Sequence, residues 1–534
     1  MGTYTGTSIA ETITPTFVSP TVARQPAGSF PSSEPDTING GGGGDVISAG
    51  GGNDVIHDKP SYRDWVARTP NDGNTVHGDA GNDDITIEIG DTGGANPAGN
   101  VAYGDDGNDT LTFLLQARNY PDGPWEGSAP TGTVSLYGGT GDDTIAVRGY
   151  YVGGAPGMTV YQDGGAGNDQ LFATAEEFDP DGSVMGSNNA DHLSGGAGDD
   201  RYTVYEARDK VIELAGNGTD TIFAYETDYI LPANVENLEM TGGYYPDRQH
   251  GTGNDLANVI KTQQYWSYAD YTLDGMGGND VIYGCAGGKD TINGGAGNDT
   301  LYGKVASADN SWDPGADADV IRGGDGDDLI YGAGGDADTW DGDDRLYGDA
   351  GNDRIFGHNG NDIMYGGTGN DEMGGQAGND TMYGEAGADT LGGGSGNDVL
   401  DGGLDNDILT GRDGLDRLTG GGGNDTFRYE AVTDSKPGAA LRDVVTDFAG
   451  IGATVIDRID LSPIDADTGL SGNQAFAFKG TAAFTGAGQL RLMSSGSDTI
   501  IQANTGGSLA PELEIAVTDG TTLPGAWSAS DFIL

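Results

Sequence analysis

From Asp344 an aspartate returns every nine residues for ten repeats: Asp344, Asp353, Asp362, Asp371, Asp380, Asp389, Asp398, Asp407, Asp416 and Asp425. Two residues after each stands an apolar side chain, beginning with Leu346, Ile355 and Met364 and ending with Leu418 and Phe427. Two residues before most of them stands glycine, at Gly351, Gly360, Gly369, Gly378, Gly387, Gly396, Gly414 and Gly423. Gly366-Gly367-Thr368-Gly369-Asn370-Asp371 states the unit cleanly. A period this short leaves room for one turn and one short strand. Successive strands must then fall on alternate sides of a flattened solenoid, two units to a coil, with one inward apolar residue per unit. A low-complexity disordered tract would not hold an apolar residue in strict register through ten units.

The same unit dictates chemistry. Its glycines allow left-handed turn geometry and leave carbonyl oxygens bare. The aspartate adds a carboxylate, and together they make the all-oxygen shell that Ca²⁺ accepts and Mg²⁺ tolerates poorly. Turns on one side would stack about 4.8 Å apart. Two carboxylates at that distance repel by about 3.5 kcal/mol at an effective dielectric near 20. A cation at ~100 times its dissociation constant adds about 2.7 kcal/mol per site. Calcium is therefore expected to switch folding on.

Composition agrees. Acidic residues number 84 against 24 basic ones, a formal net charge of −60, and 99 residues are glycine. Only 16 of the acids are glutamate, so the excess is aspartate, a turn and cation-ligand residue. Such a charge argues against nucleic acid and anionic lipid as partners. No apolar run is long enough for a membrane-spanning helix, so no membrane insertion is expected. With 35% hydrophobic residues the chain cannot build one large conventional core. The single cysteine, Cys285, cannot form an internal disulfide framework.

Upstream the unit recurs in broken form. Asp36, Asp45 and Asp54 are nine apart; Asp83, Asp109, Asp143 and Asp169 stand singly; Asp191 and Asp200 are nine apart again. Asp280, Asp290 and Asp299 form a further group around Cys285, and Asp319 and Asp328 another. Strand-like alternations such as Asp84–Ile89 and Thr110–Leu115 lie between. The expected organisation is an N-terminal arm (1–30), an interrupted solenoid with long loops along one or both edges (31–262), and a short block with linker (263–318). A regular β-roll (319–428) and a C-terminal β-rich cap (429–534) follow. The fold class is all-β, a right-handed parallel β-roll or solenoid. Tyr62 and Trp65, Tyr120 and Trp125, Tyr150 and Tyr151, Tyr244 and Tyr245, and Tyr265 and Trp266 fall in the loops. They offer either a binding face or, the preferred reading, packing of loops onto a thin solenoid.

These repeats resemble the RTX (repeats-in-toxin) calcium-binding proteins. The resemblance implies a parallel β-roll with several Ca²⁺ ions held between turns on each edge. It implies ligation by Asp344 through Asp425 and by the backbone carbonyls of glycines such as Gly351, Gly360, Gly369, Gly378, Gly387 and Gly396. The upstream repeat aspartates are assigned the same role. Asp405 in place of a turn glycine and Leu415 in place of asparagine depart from the pattern and mark weaker or distorted sites. Residues 209–260 resemble a cassette common in RTX proteins, with Asp209–Glu213, Gly218–Ile222 and Asn234–Leu238. Residues 429–534, ending Ser528–Leu534, resemble the C-terminal domain of serralysin-type proteins. In that family the region is an uncleaved signal read by a type I ABC transporter complex, which would account for the lack of an N-terminal signal peptide. Export to the exterior or the cell surface is the expectation.

Serralysins are zinc proteases, but none of His57, His77, His192, His250 and His358 belongs to an H-E-x-x-H motif, and no G-x-S-x-G is present. His358 falls at a turn position and is expected on the surface, and Cys285 reads as a small buried or turn residue. With so many acids, paired carboxylates at a glycosidase spacing carry no signal. No catalytic residue is therefore assigned. The preferred function is a calcium-dependent surface-layer, matrix or adhesive component that self-associates or binds cell-surface glycan. A secreted enzyme acting on polysaccharide through the insertions of 58–262 is the alternative, and a pore-forming toxin the least favoured.

Overall fold

The computed structural model describes residues 2–5, 11–19, 22–25, 30–41, 45–58, 73–90, 99–116, 132–149, 158–176, 191–225, 228–241, 248–262, 269–285, 287–304, 318–333, 342–449, 457–506, 508–518 and 524–534. The ten loop aromatics named above lie outside them. The described chain is all-β, its only helical turns being Pro524–Ala526 and Ala529–Asp531. It divides into two compact units, residues 1–245 with 249–259 and residues 246–248 with 260–534.

In the second unit the nine-residue period becomes geometry directly. Strands alternate between two parallel sheets, so Glu372–Ala377 pairs with Arg354–Asn359 and Thr390–Ser395, while Thr381–Ala386 pairs with Ile363–Thr368 and Val399–Leu404. Each pairing matches a residue with the one eighteen further on, one coil away, as in Met373 with Leu391 and Met364 with Met382. The inward residues form two facing rows, Ile355, Met373, Leu391, Leu409 and Phe427 against Leu346, Met364, Met382, Leu400 and Leu418, each at most 2% exposed. Outward tyrosines stack coil on coil, with Tyr347, Tyr365 and Tyr383 spaced 5.0 Å between ring centroids.

The first unit uses the same coil with longer strands. Asp84–Gly90, Thr110–Gln116, Thr144–Gly149 and Gln170–Glu176 lie side by side in parallel, and each buries a second residue beside the repeat's apolar one: Ile85 with Ile87, Leu111 with Phe113, Ile145 with Val147, Leu171 with Ala173. The second sheet carries Asn100–Asp106, Gly132–Thr140 and Met158–Ala166. The turns leading from this sheet back to the first keep the nonapeptide form. All the extra length between Asp54 and Asp191 falls in the connections at the opposite edge. The seemingly isolated repeats are therefore adjacent coils. The chain enters this stack early: Thr3–Thr5 pairs with Thr37–Asn39 and Thr12–Thr14 with Val46–Ser48, burying Tyr4 and Ile13.

Beyond the last repeat the second unit changes character. An antiparallel meander of Gln489–Ser495, Asp498–Asn504 and Leu513–Val517 joins the solenoid through Val444–Val445, which pairs with Arg417–Gly422. Arg458–Asp460 pairs with Thr426–Arg428 and with the terminal Phe532–Ile533. Phe448 lies 6.2 Å from Phe427 and stacks on Trp527, which meets Phe532, so the end of the apolar row is covered by aromatic rings. An open solenoid end needs such a cover.

Close stacking of turns is what the glycines make possible. Gly378 has φ 146°, and a Cβ there would collide with the Gly360 carbonyl of the preceding coil. At Gly392 an added Cβ meets nothing nearer than 3.8 Å. Gly378→Ala should lower the calcium-saturated thermal midpoint sharply, the backbone strain alone costing about 1–3 kcal/mol. Gly392→Ala should stay within about 0.5 kcal/mol of the parent. Equal melting curves for the two variants would contradict the stacking described.

Candidate metal centres

The repeat aspartates form columns, each bonded to its neighbour one coil away. In the second unit the Asp353 amide donates to Asp371 Oδ1 at 2.8 Å, the Asp371 amide to Asp389 Oδ1 at 2.8 Å and the Asp389 amide to Asp407 Oδ1 at 2.8 Å. The same column takes in Asp280, Asp299 and Asp328 before Asp353 and continues through Asp425. On the other edge Asp290, Asp319, Asp344, Asp362, Asp380, Asp398 and Asp416 are linked in the same way. In the first unit Asp36, Asp54, Asp83, Asp109, Asp143, Asp169 and Asp200 make one column. Its opposite edge is less charged: Asp45 is followed by Asn74 and Asn100 in the ladder, and Asp191 bonds Asp209. Every sequence-assigned aspartate thus falls in one of these columns.

At most of these aspartates one carboxylate oxygen is used by the backbone and the other is the chemically available one; at Asp36 and Asp290 both oxygens accept backbone amides. Oδ2 of Asp54, Asp83, Asp109, Asp143, Asp169 and Asp200, and of Asp299, Asp328, Asp353, Asp371, Asp380, Asp389, Asp398, Asp407, Asp416 and Asp425, is buried without a hydrogen-bond partner. Uncompensated burial of so many anionic atoms is costly. At Asp83, Asp109, Asp143, Asp299, Asp328, Asp353, Asp371, Asp380, Asp389 and Asp398 this oxygen faces a bare α-carbon and a carbonyl of the following coil. A Cβ built on Gly366 would clash with Asp371 Oδ2 and lie 2.8 Å from the Gly384 carbonyl; one on Gly393 would clash with Asp398 Oδ2 and lie 2.9 Å from the Gly411 carbonyl. Carboxylate and carbonyl oxygens converging where no side chain can intrude fit a hard cation such as Ca²⁺.

The columns extend past the residues that sequence singled out. The Asp200 amide donates to Asp220 Oδ1 at 2.9 Å and the Asp220 amide to Glu236 Oε2 at 2.8 Å. In the cap, the Asp416 amide donates to Asp443 Oδ1 and the Asp425 amide to Asp457 Oδ1, both at 3.0 Å. Near the N-terminus the Glu11 amide donates to Asp45 Oδ1 at 2.7 Å. A usable signal existed: Asp220, Asp443 and Asp457 each have an apolar residue two positions on, Ile222, Val445 and Ile459, and Asp220 also keeps the glycine two positions before it, Gly218.

Asp405 keeps the left-handed turn its position requires, at φ 73°, and the Leu415 amide still donates to Asn397 Oδ1 at 3.0 Å. Cys285 is buried with its amide on Asp290 Oδ2 at 2.6 Å, and burial followed by the Asp290 charge pushes its thiol far above the ordinary range. The expectation that His358 lies on the surface is corrected. It is only 4% exposed, because its left-handed turn brings the ring against Tyr331 at 5.8 Å.

Burial is the main reason the column carboxyls titrate high. It pushes Asp371 up to about 7; the bond from the Asp353 amide pulls it back, and the charges of Asp389, Asp353 and Glu385 push it further. Asp380 rises to about 7 and Asp398 to about 6 for the same first reason. Buried Asp443, beside Asp416, reaches about 9. Without cation, the folded stack holds protons that the unfolded chain releases near pH 4. Its stability is therefore greatest below that pH and is lost as pH rises through about 6–7. Calcium must displace those protons. In chelator, β-sheet circular dichroism should be stronger at pH 4.5 than at pH 8, and calcium binding at pH 6 should release protons and be weaker than at pH 8. A chelated protein equally folded at both pH values would refute this.

A family model of the RTX calcium-binding nonapeptide repeat, in four copies, matches residues 32–57, 96–113, 131–147, 182–204, 272–301, 315–336, 341–373, 375–400, 392–427 and 401–434. The chain is 42% identical over 69 residues to the endo-1,3-1,4-beta-glycanase ExsH of Rhizobium meliloti (strain 1021), a match covering 13% of this chain and 14% of that protein. Among solved structures it is similar to the AlgE6R3 subunit of the Azotobacter vinelandii mannuronan C5-epimerase, at 24% identity and a TM-score of 0.20, over 32% of this chain and 76% of that one. The AlgE6R2 subunit of the same epimerase matches at 24% identity and a TM-score of 0.18, over 40% and 90%. The RTX calcium-binding nonapeptide repeat is thus matched in both units, and these repeats bind calcium in multiple copies.

Proposed function

We propose that this chain is exported unfolded by a type I ABC transporter complex, folds on calcium outside the cell, and there serves as a structural, matrix or adhesive component. The columns of buried carboxylates with an unpartnered Oδ2 carry this reading. A polyanion of charge −60 whose coils press carboxylates together is poorly suited to fold where calcium is scarce and well suited to fold where it is abundant. The ligands on this reading are the column aspartates, Asp371 Oδ2 and its counterparts, with the glycine carbonyls that face them. Repeat and cap account for nearly all the described residues, which favours a scaffold over a dedicated catalytic domain.

A second reading is favoured by one observation, the 69-residue likeness to a protein named as an endo-1,3-1,4-beta-glycanase. On that reading the insertions at one edge of the first unit act on or bind polysaccharide.

Negative-stain microscopy of the purified chain, in millimolar calcium and then in chelator, separates the two. Ordered sheets or filaments that disperse in chelator are the expected outcome; calcium-folded single particles that deplete a β-glucan from solution would favour the second reading. Asp371→Ala should lower the calcium stoichiometry and open the neighbouring coils to protease. An unchanged calcium titration and digestion pattern would overturn its assignment as a ligand.

A further inference from the structure

We infer that Asp200, Glu213 and Asp220 form a cation site of a different make from the nonapeptide sites, taking Ca²⁺ through three carboxylates and binding more tightly than the sites of the regular column. The inference rests on the calcium reading above and adds Glu213 and Asp220 to it.

At Asp83, Asp109 and Asp143 in the first unit's main column, Oδ2 faces a backbone carbonyl of the next coil. A Cβ on Gly138 would clash with Asp143 Oδ2 and lie 2.5 Å from the Gly164 carbonyl of the next coil. Gly195 occupies the equivalent place before Asp200. One coil on, the register of Leu193 with Val211 and the bond from the Ile212 amide to the Leu193 carbonyl, at 2.9 Å, set Glu213 above Gly195. A side-chain carboxylate therefore stands where other coils offer a glycine carbonyl.

The three side chains converge, with a carboxylate oxygen from each within 4.8 Å of the others. All are buried, at 1%, 7% and 1% exposure. Asp200 Oδ2 has no hydrogen-bond partner, and a Cβ on Gly195 would strike both it and the Tyr202 hydroxyl. Among the described residues no lysine, arginine or histidine forms an ion pair with any of the three. Tyr202 fills the apolar slot of its repeat but turns its hydroxyl onto Glu213 Oε1, and the Gly195 amide donates to that hydroxyl at 2.6 Å and to Glu213 Oε1 at 3.1 Å. These bonds fix Glu213 Oε1 beside the unpartnered Asp200 oxygen. Three buried anions with no counter-charge require a cation, and the third carboxylate raises affinity over a site built from aspartate and carbonyls.

Calorimetric calcium titration of the full chain and its Glu213→Gln variant tests this, with Asp371→Asn as comparison. Glu213→Gln should remove the tightest class of site or weaken it roughly ten-fold or more, while retaining the other ions. An unchanged tight class in Glu213→Gln overturns the proposal. If Asp371→Asn alone reduces stoichiometry, the general calcium reading stands without this site; if neither variant changes the titration, that reading falls too. Should Glu213→Gln fail to gain sheet signal at any calcium concentration, Tyr202→Phe decides: it keeps all three charges, so a several-fold weaker tight class supports the site and an identical titration overturns it.

Discussion

Most repeat aspartates divide their carboxylate between two tasks, and the rest of the molecule depends on that division. Oδ1 accepts the amide of the aspartate one coil earlier and so fixes the spacing and register of the turns. Oδ2 is left facing a glycine carbonyl from the coil after. Because the first bond holds the coils at strand spacing, it forces the second oxygens into a column of like charge. The interaction that aligns the turns is thus the one that makes them unstable alone, and no rearrangement of the loops relieves it.

That constraint explains why the core can be so thin. One apolar side chain per unit, such as Met373 or Leu391, buries far less surface than a globular core of the same length, and it meets only its row neighbours and the opposite row. Cation binding supplies the missing stability coil by coil, so cooperativity extends along the column rather than outward from a centre. The cap fits the same logic. Asp443 and Asp457 accept the last two ladder bonds, and Phe448, Trp527 and Phe532 cover Phe427. The final coil therefore receives both its charge partner and its apolar cover from residues outside the repeats.

The regular array was legible because nothing interrupts its period: Asp344 to Asp425 could be assigned to alternating edges by counting. The first unit was legible only in part. Its repeats were recognisable one by one, but separations of 29, 26, 34, 26 and 31 residues between ladder partners hide a constant one-coil step. Insertions at the far edge lengthen the chain without altering the stack, and a search for equal spacing does not see through them. The aspartate-x-apolar triplet survives insertion, which is why Asp443 and Asp457 carry the mark even without a glycine two positions before them. Glu213 left no such mark. Its position above Gly195 follows from strand register, and its role from the reach of a longer side chain.

The ends of a column are where its chemistry must change. An interior coil borrows a carbonyl from the coil that follows; a coil followed by a turn of different length has none in the right place. The first unit meets this at Asp200, where the step to Asp220 is two residues longer than the regular coil, and a glutamate reaches into the gap. The second meets it at Asp416 and Asp425, where steps of 27 and 32 residues lead into the cap and aspartates again arrive from non-repeat sequence. At Asp200 the Glu213 carboxylate stands in for a backbone carbonyl, whereas Asp443 and Asp457 take the ladder place that a repeat aspartate holds in the interior coils. The replacement at Asp200 adds a negative charge that the regular coil lacks, so this position depends on cation more strongly than the coils before it.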